Sequence, residues 1–571
     1  MKLKFLRAGL ALGVAVLSIN SARAYLPVLS DPAALPVAQN VYNYLATRAS
    51  ATTDKMIEGQ HLGGVNEILH PEIYGPFDIT SHAVNGKLPG MVGTRYDGTD
   101  KQQNEYILDP VVCSALNIQL ISIWKSNQPV VHITAIPPNP WHPQSGRDPY
   151  KPTNNLSELL LTAPDSAAKR SFWASIDLIA AALGELRDAG IPVVFRPFAE
   201  FNMPNKYYYR NQSSATFVQL WQDVYNHYVG VKGLHNLIFC WEAWALNRSS
   251  TESDLGPWYP GDNYVDVVAG AYYFQPDIPY LDANGVFSFT KVNDQTIYDF
   301  LTTRNRPFGA AQWGLNQGTG VPGDDRFTLS FMNFCPRLAF AYYWTNEQAV
   351  EVQAHAEEFV SEPRVATAED LPGFSEKTFS SLPAEDGWIR EYSMGSLKFG
   401  VARATEVGTT ALRTGDTGPR EMDARYQSIV SFDTSTLPPG ATPTGATLRL
   451  KRGALVGQNP FLTEGSCWVD IAGSTGFGGS PDLSPDDFRN FSGIVKAVAT
   501  LSDPLADGNW STGSLNPAGL TAINRSGRTQ LRIYFNQNRH DGHEAFVGWY
   551  SGEAESGDQP ELTIHYKYQA P

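Results

Sequence analysis

The chain has 571 residues, enough for two or three domains, and 42% hydrophobic against 18% charged residues excludes a disordered polymer. With 43 Lys plus Arg against 58 Asp plus Glu the formal charge is −15, the wrong sign for gripping a phosphate backbone or an anionic membrane surface. Aromatic residues make up 12%, including 13 Trp and 26 Tyr, so flat apolar side chains are plentiful.

Lys2, Lys4 and Arg7 precede an apolar run from Ala8 to Ile19, and Ala22-Arg23-Ala24 offers small residues for cleavage. Residues 1–24 therefore read as a secretory signal peptide, whose removal takes the charge to −19. No later stretch approaches the roughly 20 apolar residues of a spanning helix, so the expectation is a secreted protein without a membrane span, acting as a monomer.

Short apolar runs then alternate with helical patterns. Lys55–Gly59 and Met91–Thr94 are weak strand candidates; Val130–Ile136, Ile191–Phe195, Leu237–Trp241, Val265–Ala271, Phe308–Ala311 and Leu338–Tyr343 are clear ones. Between two of them, Ser171–Leu186 places Trp173, Ile176, Ile179, Ala180 and Leu183 on one helical face. Eight strands separated by helices predict an α/β fold, a (β/α)8 TIM barrel over residues 25–375. After a linker at 376–384 the helical period vanishes. Short alternating strands such as Thr447–Leu450, Leu531–Phe535 and Glu561–Tyr566 predict a C-terminal all-β sandwich over 385–571.

Cys113, Cys240, Cys335 and Cys467 are too scattered for a zinc site or a disulfide framework, and three sit in apolar runs as buried thiols would. His61, His132 and His142 lack ligand spacing, so neither metal nor cofactor is expected.

Barrel chemistry lies where the strands end. Those ends carry Arg95, Tyr96, Asp97 and Asp100; Arg196, Glu200 and Asn202, then Tyr207-Tyr208-Tyr209; Trp241, Glu242 and Trp244; Tyr272 and Tyr273; Gln312 and Trp313; and Trp344, Asn346 and Glu347. Carboxylates inside a wall of Trp and Tyr suit a saccharide, because rings stack on pyranose faces while an acid protonates the leaving oxygen. Asp97 and Asp100 also read simply as turn residues.

The string Val193-Val194-Phe195-Arg196-Pro197-Phe198-Ala199-Glu200-Phe201-Asn202 resembles the fourth-strand motif of glycoside hydrolase family 26, which contains secreted β-mannanases and some enzymes of β-xylan and mixed-linkage β-glucan. Gly59-Gln60, Asn139-Pro140, Trp258–Asp262, Tyr264-Val265-Asp266, Trp344-Thr345-Asn346 and Glu362–Val365 are similar in order. The resemblance implies a polysaccharide substrate and Glu200 as general acid/base. Three departures stand beside it: Ala199 replaces a His, Thr134-Ala135-Ile136 replaces Ser-Trp-His, and Gln312 occupies the place of the nucleophilic Glu. An amide cannot form the usual glycosyl ester, so another carboxylate, with Glu242 the nearest in sequence and Asp97 and Asp100 of the second strand beside it, would activate water from about 6.5–9.5 Å away. The expected catalytic set is Glu200, Gln312 and Glu242. The expected binding set is Arg196, Asn202, Tyr208, Trp241, Tyr272, Trp313, Trp344 and Asp97. A barrel that holds a glycan without cleaving it, and an outer-surface scaffold, are the alternatives.

Asp386–Glu391, Ser431–Ser435, Arg528–Arg532 and Pro560–Leu562 resemble DNRLRE-type sandwich modules of secreted bacterial proteins, some of which bind carbohydrate; a spacer role is the plainer reading. Asp386, Asp433 and Asp470 are acidic but follow no recognised calcium-loop spacing.

Overall fold

The computed structural model describes residues 28–568 apart from 51–54, 144–153, 204–205, 211, 246–254, 274–297, 299, 301, 316–321, 395–396, 405, 420–423, 473–475, 490–492 and 538–540. The expected signal peptide lies outside the described residues.

Eight parallel strands form the first unit: β1 (Met56–His61), β2 (Met91–Arg95), β3 (Val130–Thr134), β4 (Val193–Arg196), β5 (Leu237–Trp244), β6 (Val267–Tyr273), β7 (Phe308–Gly314) and β8 (Leu338–Tyr343). They pair in sequence order, and β8 pairs with β1, which closes the barrel. The expected (β/α)8 barrel is the observed one, with all eight expected runs among its strands.

Alternation along each strand divides the interior from the outer layer. Leu237, Phe239 and Trp241 of β5 join a cluster with Phe172, Ile176, Phe217 and Trp221 of the helices. Ile238 and Cys240 join a separate cluster with Ile57, Val194, Val267, Ala269 and Phe340, which is the barrel interior, continued onto Val41, Tyr42 and Leu45 of the helix Pro36–Ser50. The helix Ala167–Asp188 illustrates the outer layer. Ser166 caps it by accepting from the Lys169 amide at 3.1 Å, and Phe172, Ile176, Ile179, Leu183 and Leu186 are its buried stripe.

One irregularity bears on the site. Gly270 and Ala271 of β6 pair with Ala310 and Gln312 of β7, and Ala341 and Tyr343 of β8 pair with Ala310 and Trp313. Ala311 is thus an extra residue against both neighbours, a β-bulge, and such bulges re-aim the side chains that follow.

The C-terminal unit is antiparallel throughout. Its longest strand, Ala441–Gly457, pairs with Glu561–Tyr568 and Trp510–Ser514 in one half and with Ala545–Trp549 in the other, folding the sheet around Leu448, Leu450, Val469, Leu531, Ile533 and Trp549. The three aspartates bind protein groups: Asp386 accepts from the Ser431 and Gly552 amides at 3.0 Å, Asp433 meets Arg528 at 2.9 Å, and Asp470 meets Arg532 at 2.7 Å. All four cysteines are buried. Among the described residues no helix is long and apolar enough to cross a membrane.

Candidate active site

Arg196 ends β4 and, by strand parity, points inward. It is fully buried, its Nη1 lies 2.7 Å from Glu242 Oε1, and its Nε and Nη2 donate to Thr134 Oγ1 at 3.1 and 2.8 Å. Glu242, inward on β5 like Ile238 and Cys240, accepts the Glu200 backbone N–H with its other oxygen at 3.0 Å. A guanidinium at the end of one strand and a carboxylate on the next therefore fix the loop that carries Glu200. Burial pushes Glu242 up to about 7, reinforced by the charge of Glu200 and opposed by Arg196 and the Glu200 amide.

Glu200 has φ of +50°, a left-handed backbone that is uncommon for a residue with a side chain and costs free energy unless its surroundings hold it. Three donors converge on its carboxylate. Gln312 Nε2 donates to Oε1 at 2.6 Å, while the same amide's Oε1 accepts from Arg196 Nη2 at 3.1 Å. Tyr207 donates to Oε2 at 3.3 Å, and the Lys206 ammonium pairs with that oxygen. Gln312 reaches this position because the Ala311 bulge turns it inward, a position the plain alternation of β7 would not give it.

Two aromatic groups stand at strand ends around the site. Trp244, partly exposed at the end of β5, stacks on Tyr273 with centroids 5.7 Å apart and planes 23° apart, and Lys206 Nζ lies 5.7 Å from its ring. Three strands further round, Trp344 follows β8, tilts over His61 at 4.2 Å and has Arg95 5.8 Å from its ring centroid. Beneath them, His61 Nε2, both ring nitrogens of His132 and the Tyr342 hydroxyl are buried with no hydrogen-bond partner among the described residues. Burial, with the positive charge of Arg196 nearby, holds both histidines well below their ordinary pKa and so neutral.

The structure brings together Glu200, Gln312, Glu242 and Arg196, and puts Trp344 at the mouth. Asn202 is turned to the backbone of Trp244: it donates to the carbonyl at 3.0 Å and accepts from the amide at 2.6 Å, so it positions that ring. Asp97 is 2% exposed and accepts from Arg95 (3.1 Å), Tyr106 (2.9 Å) and the Ile136 amide (3.1 Å), which makes it a brace for Arg95. Asp100 accepts from the Gln102 amide at 2.8 Å and meets His70 at 3.0 Å, as a turn residue does.

Four of the expected sugar contacts lie elsewhere. Trp241 packs on Phe201 (4.8 Å) and Tyr259, and Tyr272 on Phe331 (5.1 Å) and Trp313. Trp313 donates to Thr328 at 3.1 Å, and Tyr208 is wedged between Trp141 and Tyr209. All four are buried in the layer between strands and helices. Their strand neighbours Trp244, Tyr273 and Gln312 face the interior instead. Lys206 is not among the strand-end residues that the sequence marks, and Tyr273 is among them but outside the expected binding set. For Tyr273 the parity of β6, read from Val267 and Ala269, supplies the signal; for Lys206, in a loop, nothing does.

Comparison with known proteins agrees with this architecture. Residues 30–308 match glycosyl hydrolase family 26. A mannan endo-1,4-beta-mannosidase A and B of Caldalkalibacillus mannanilyticus is 27% identical over 328 residues, 56% of this chain and 58% of that protein, so the chain spans less than two thirds of that relative. A mannan endo-1,4-beta-mannosidase of Bacillus subtilis (strain 168) is 26% identical over 333 residues, 57% of this chain and 84% of that protein. The solved structure of a Bacillus subtilis mannanase shares 25% identity, covers 60% of this chain and 96% of its own, and superposes with a TM-score of 0.48. The N-terminal barrel of this chain is thus similar to glycosyl hydrolase family 26 over residues 30–308.

Proposed function

We propose that the chain is a secreted hydrolase of a β-linked polysaccharide, with Glu200 as the proton donor to the departing oxygen. The supporting observation is the convergence on Glu200: a left-handed backbone, an amide bond to buried Glu242 and three side-chain donors hold one carboxylate beside Trp244. Such preorganisation is characteristic of a group that exchanges a proton in the reaction. Trp244 and Trp344 supply stacking faces for sugar rings. Arg196 and Glu242 act through Glu200 and are positioning residues. Glu242 is fully buried, ion-paired with Arg196 through one oxygen and hydrogen-bonded to the Glu200 amide through the other, which argues against the water-activating role that its place in the sequence invites. The relatives named mannan endo-1,4-beta-mannosidases make a neutral β-glycan the first class to try.

One observation favours a second reading, a barrel that binds glycan without cleaving it. Lys206 and Tyr207 already occupy one oxygen of Glu200 and Gln312 the other, as they would in a site that only holds a ligand. Product release and retention on immobilised polymer separate the two. A hydrolase yields new reducing ends that disappear in Glu200→Ala, while a binding barrel is retarded by the polymer, yields none, and stays inert as Gln312→Glu.

A further inference from the structure

The barrel holds a well-placed carboxylate, and each of the carboxylates expected to oppose it is tied to protein groups. Glu242 is committed to Arg196 and the Glu200 amide, Asp97 to Arg95, Tyr106 and the Ile136 amide, and Asp100 to a turn and His70. The group that meets Glu200 is the amide of Gln312, at 2.6 Å. It is held by a bulge in β7 and by Arg196, which occupies one of the two lone pairs on its oxygen. An amide is a poor nucleophile toward an anomeric carbon, yet its N–H and C=O complement those of another amide.

Building on the hydrolase reading above, we infer that the substrate carries its own nucleophile: a 2-acetamido group on the sugar whose bond is cleaved, oriented by Gln312. The acetamido oxygen attacks C1 as the C1–O glycosidic bond breaks, and Glu200, entering protonated, gives its proton to the leaving oxygen. The product of this step is a bicyclic oxazolinium ion whose N–H donates to the remaining lone pair of Gln312 Oε1. Water then attacks C1, losing its proton to the Glu200 carboxylate, and the C1–O bond to the acetamido group breaks to restore the amide. The sum is one water consumed, one glycosidic bond hydrolysed, Glu200 returned to its acid form and the anomeric configuration retained. The amide supplies the nucleophile that carboxylate pairs supply elsewhere, an exception already recognised among glycosidases.

Stereochemistry narrows the substrate further. The acetamido oxygen must approach C1 from the face opposite the leaving group, so the C2 substituent must be trans to the bond. That admits β-linked N-acetylglucosamine and N-acetylgalactosamine units and excludes β-linked mannose-configured ones, whose C2 substituent is cis.

The test is reducing-end release by the full mature chain from β-1,4-linked N-acetylglucosamine oligosaccharides and β-1,6-linked poly-N-acetylglucosamine, beside their de-N-acetylated forms, β-mannan, xylan and mixed-linkage β-glucan. The expected result is release from N-acetylated substrates only, retention at the newly formed anomeric centre by NMR, and inhibition by the thiazoline analogue of N-acetylglucosamine. Gln312→Ala should lower kcat about 100- to 1,000-fold, the scale of one lost transition-state contact, with a smaller change in KM. The comparison of acetylated with deacetylated substrate needs no variant and stands even if Gln312→Ala fails to fold. Glu200-dependent cleavage of unsubstituted mannan, xylan or glucan, or an inverted product, overturns this inference and leaves the hydrolase reading intact. No release from any substrate overturns both.

Discussion

Glu242→Gln isolates what the Arg196–Glu242 pair contributes. Both side chains are fully buried and 2.7 Å apart, and Glu242 holds the Glu200 amide as well. At pH 8, above the value of about 7 to which burial pushes Glu242, the wild-type pair is charged. The variant leaves a buried guanidinium with Thr134 and Gln312 as partners but no counter-charge. Removing one member of a buried pair costs about 3–5 kcal/mol. Turning an amide N–H toward the Glu200 N–H adds an unmade hydrogen bond of about 1–3 kcal/mol. The barrel should therefore lose about 4–8 kcal/mol of unfolding free energy. Urea titration followed by tryptophan fluorescence reads that loss as a lower midpoint at unchanged slope. Arg196→Met combined with Glu242→Leu should recover most of it, because well-packed apolar replacements of a buried pair are often neutral. A loss below about 1 kcal/mol in Glu242→Gln, or a double variant weaker than the single one, would refute the claim that a charged pair holds the Glu200 loop.

Further outcomes follow from individual contacts. Trp244→Ala removes a stacked, partly exposed ring and should raise KM for polymer about 5- to 10-fold, the scale of an aromatic contact of about 1–1.5 kcal/mol, with kcat changed less; steady-state kinetics checks this. Gly93→Ala should impair folding, because a Cβ there would stand 1.8 Å from the His132 carbonyl oxygen of the neighbouring strand; soluble yield and calorimetry read it. In the C-terminal unit, burial pushes Asp386 up to about 7 against three hydrogen bonds that pull it down. The folded chain then holds a proton that the unfolded chain releases near pH 4, so the stabilisation it contributes is present at low pH and is lost as pH rises toward 7. Unfolding midpoints between pH 4.5 and 8 should fall with this profile in the wild type and flatten in Asp386→Asn.

The sequence shows the barrel well because β/α alternation is written in hydrophobic runs. All eight runs contain inward and outward apolar residues and survive small errors in their ends. The site is less legible for a geometric reason: it depends on which of two adjacent residues faces inward. Trp241, Tyr272 and Trp313 stand at strand ends and look like a sugar-binding wall, yet each is one residue out of phase with the interior. For β5 and β6 the phase can be read from Ile238, Cys240, Val267 and Ala269. For β7 it cannot, since Ala311 is a bulge that no local pattern announces, and that bulge sets Gln312 against Glu200. The Lys206 contact arises from a loop closing over the site, where hydrophobic periodicity carries no information. Chemical type was more readable than direction. The Arg196-to-Glu200 string marks Glu200 as the candidate, but not that Glu242 holds its backbone amide.

The central claim is that Glu200 transfers a proton during cleavage of a β-linked glycan, and its most direct test is reducing-end release by matched preparations of wild type and Glu200→Ala on one panel of β-linked polymers. The account predicts release by the wild type and a loss of about 100- to 10,000-fold in the variant, the range for removing a general acid, with polymer binding kept. Equal release by both proteins, or none by the wild type on any polymer, would contradict it.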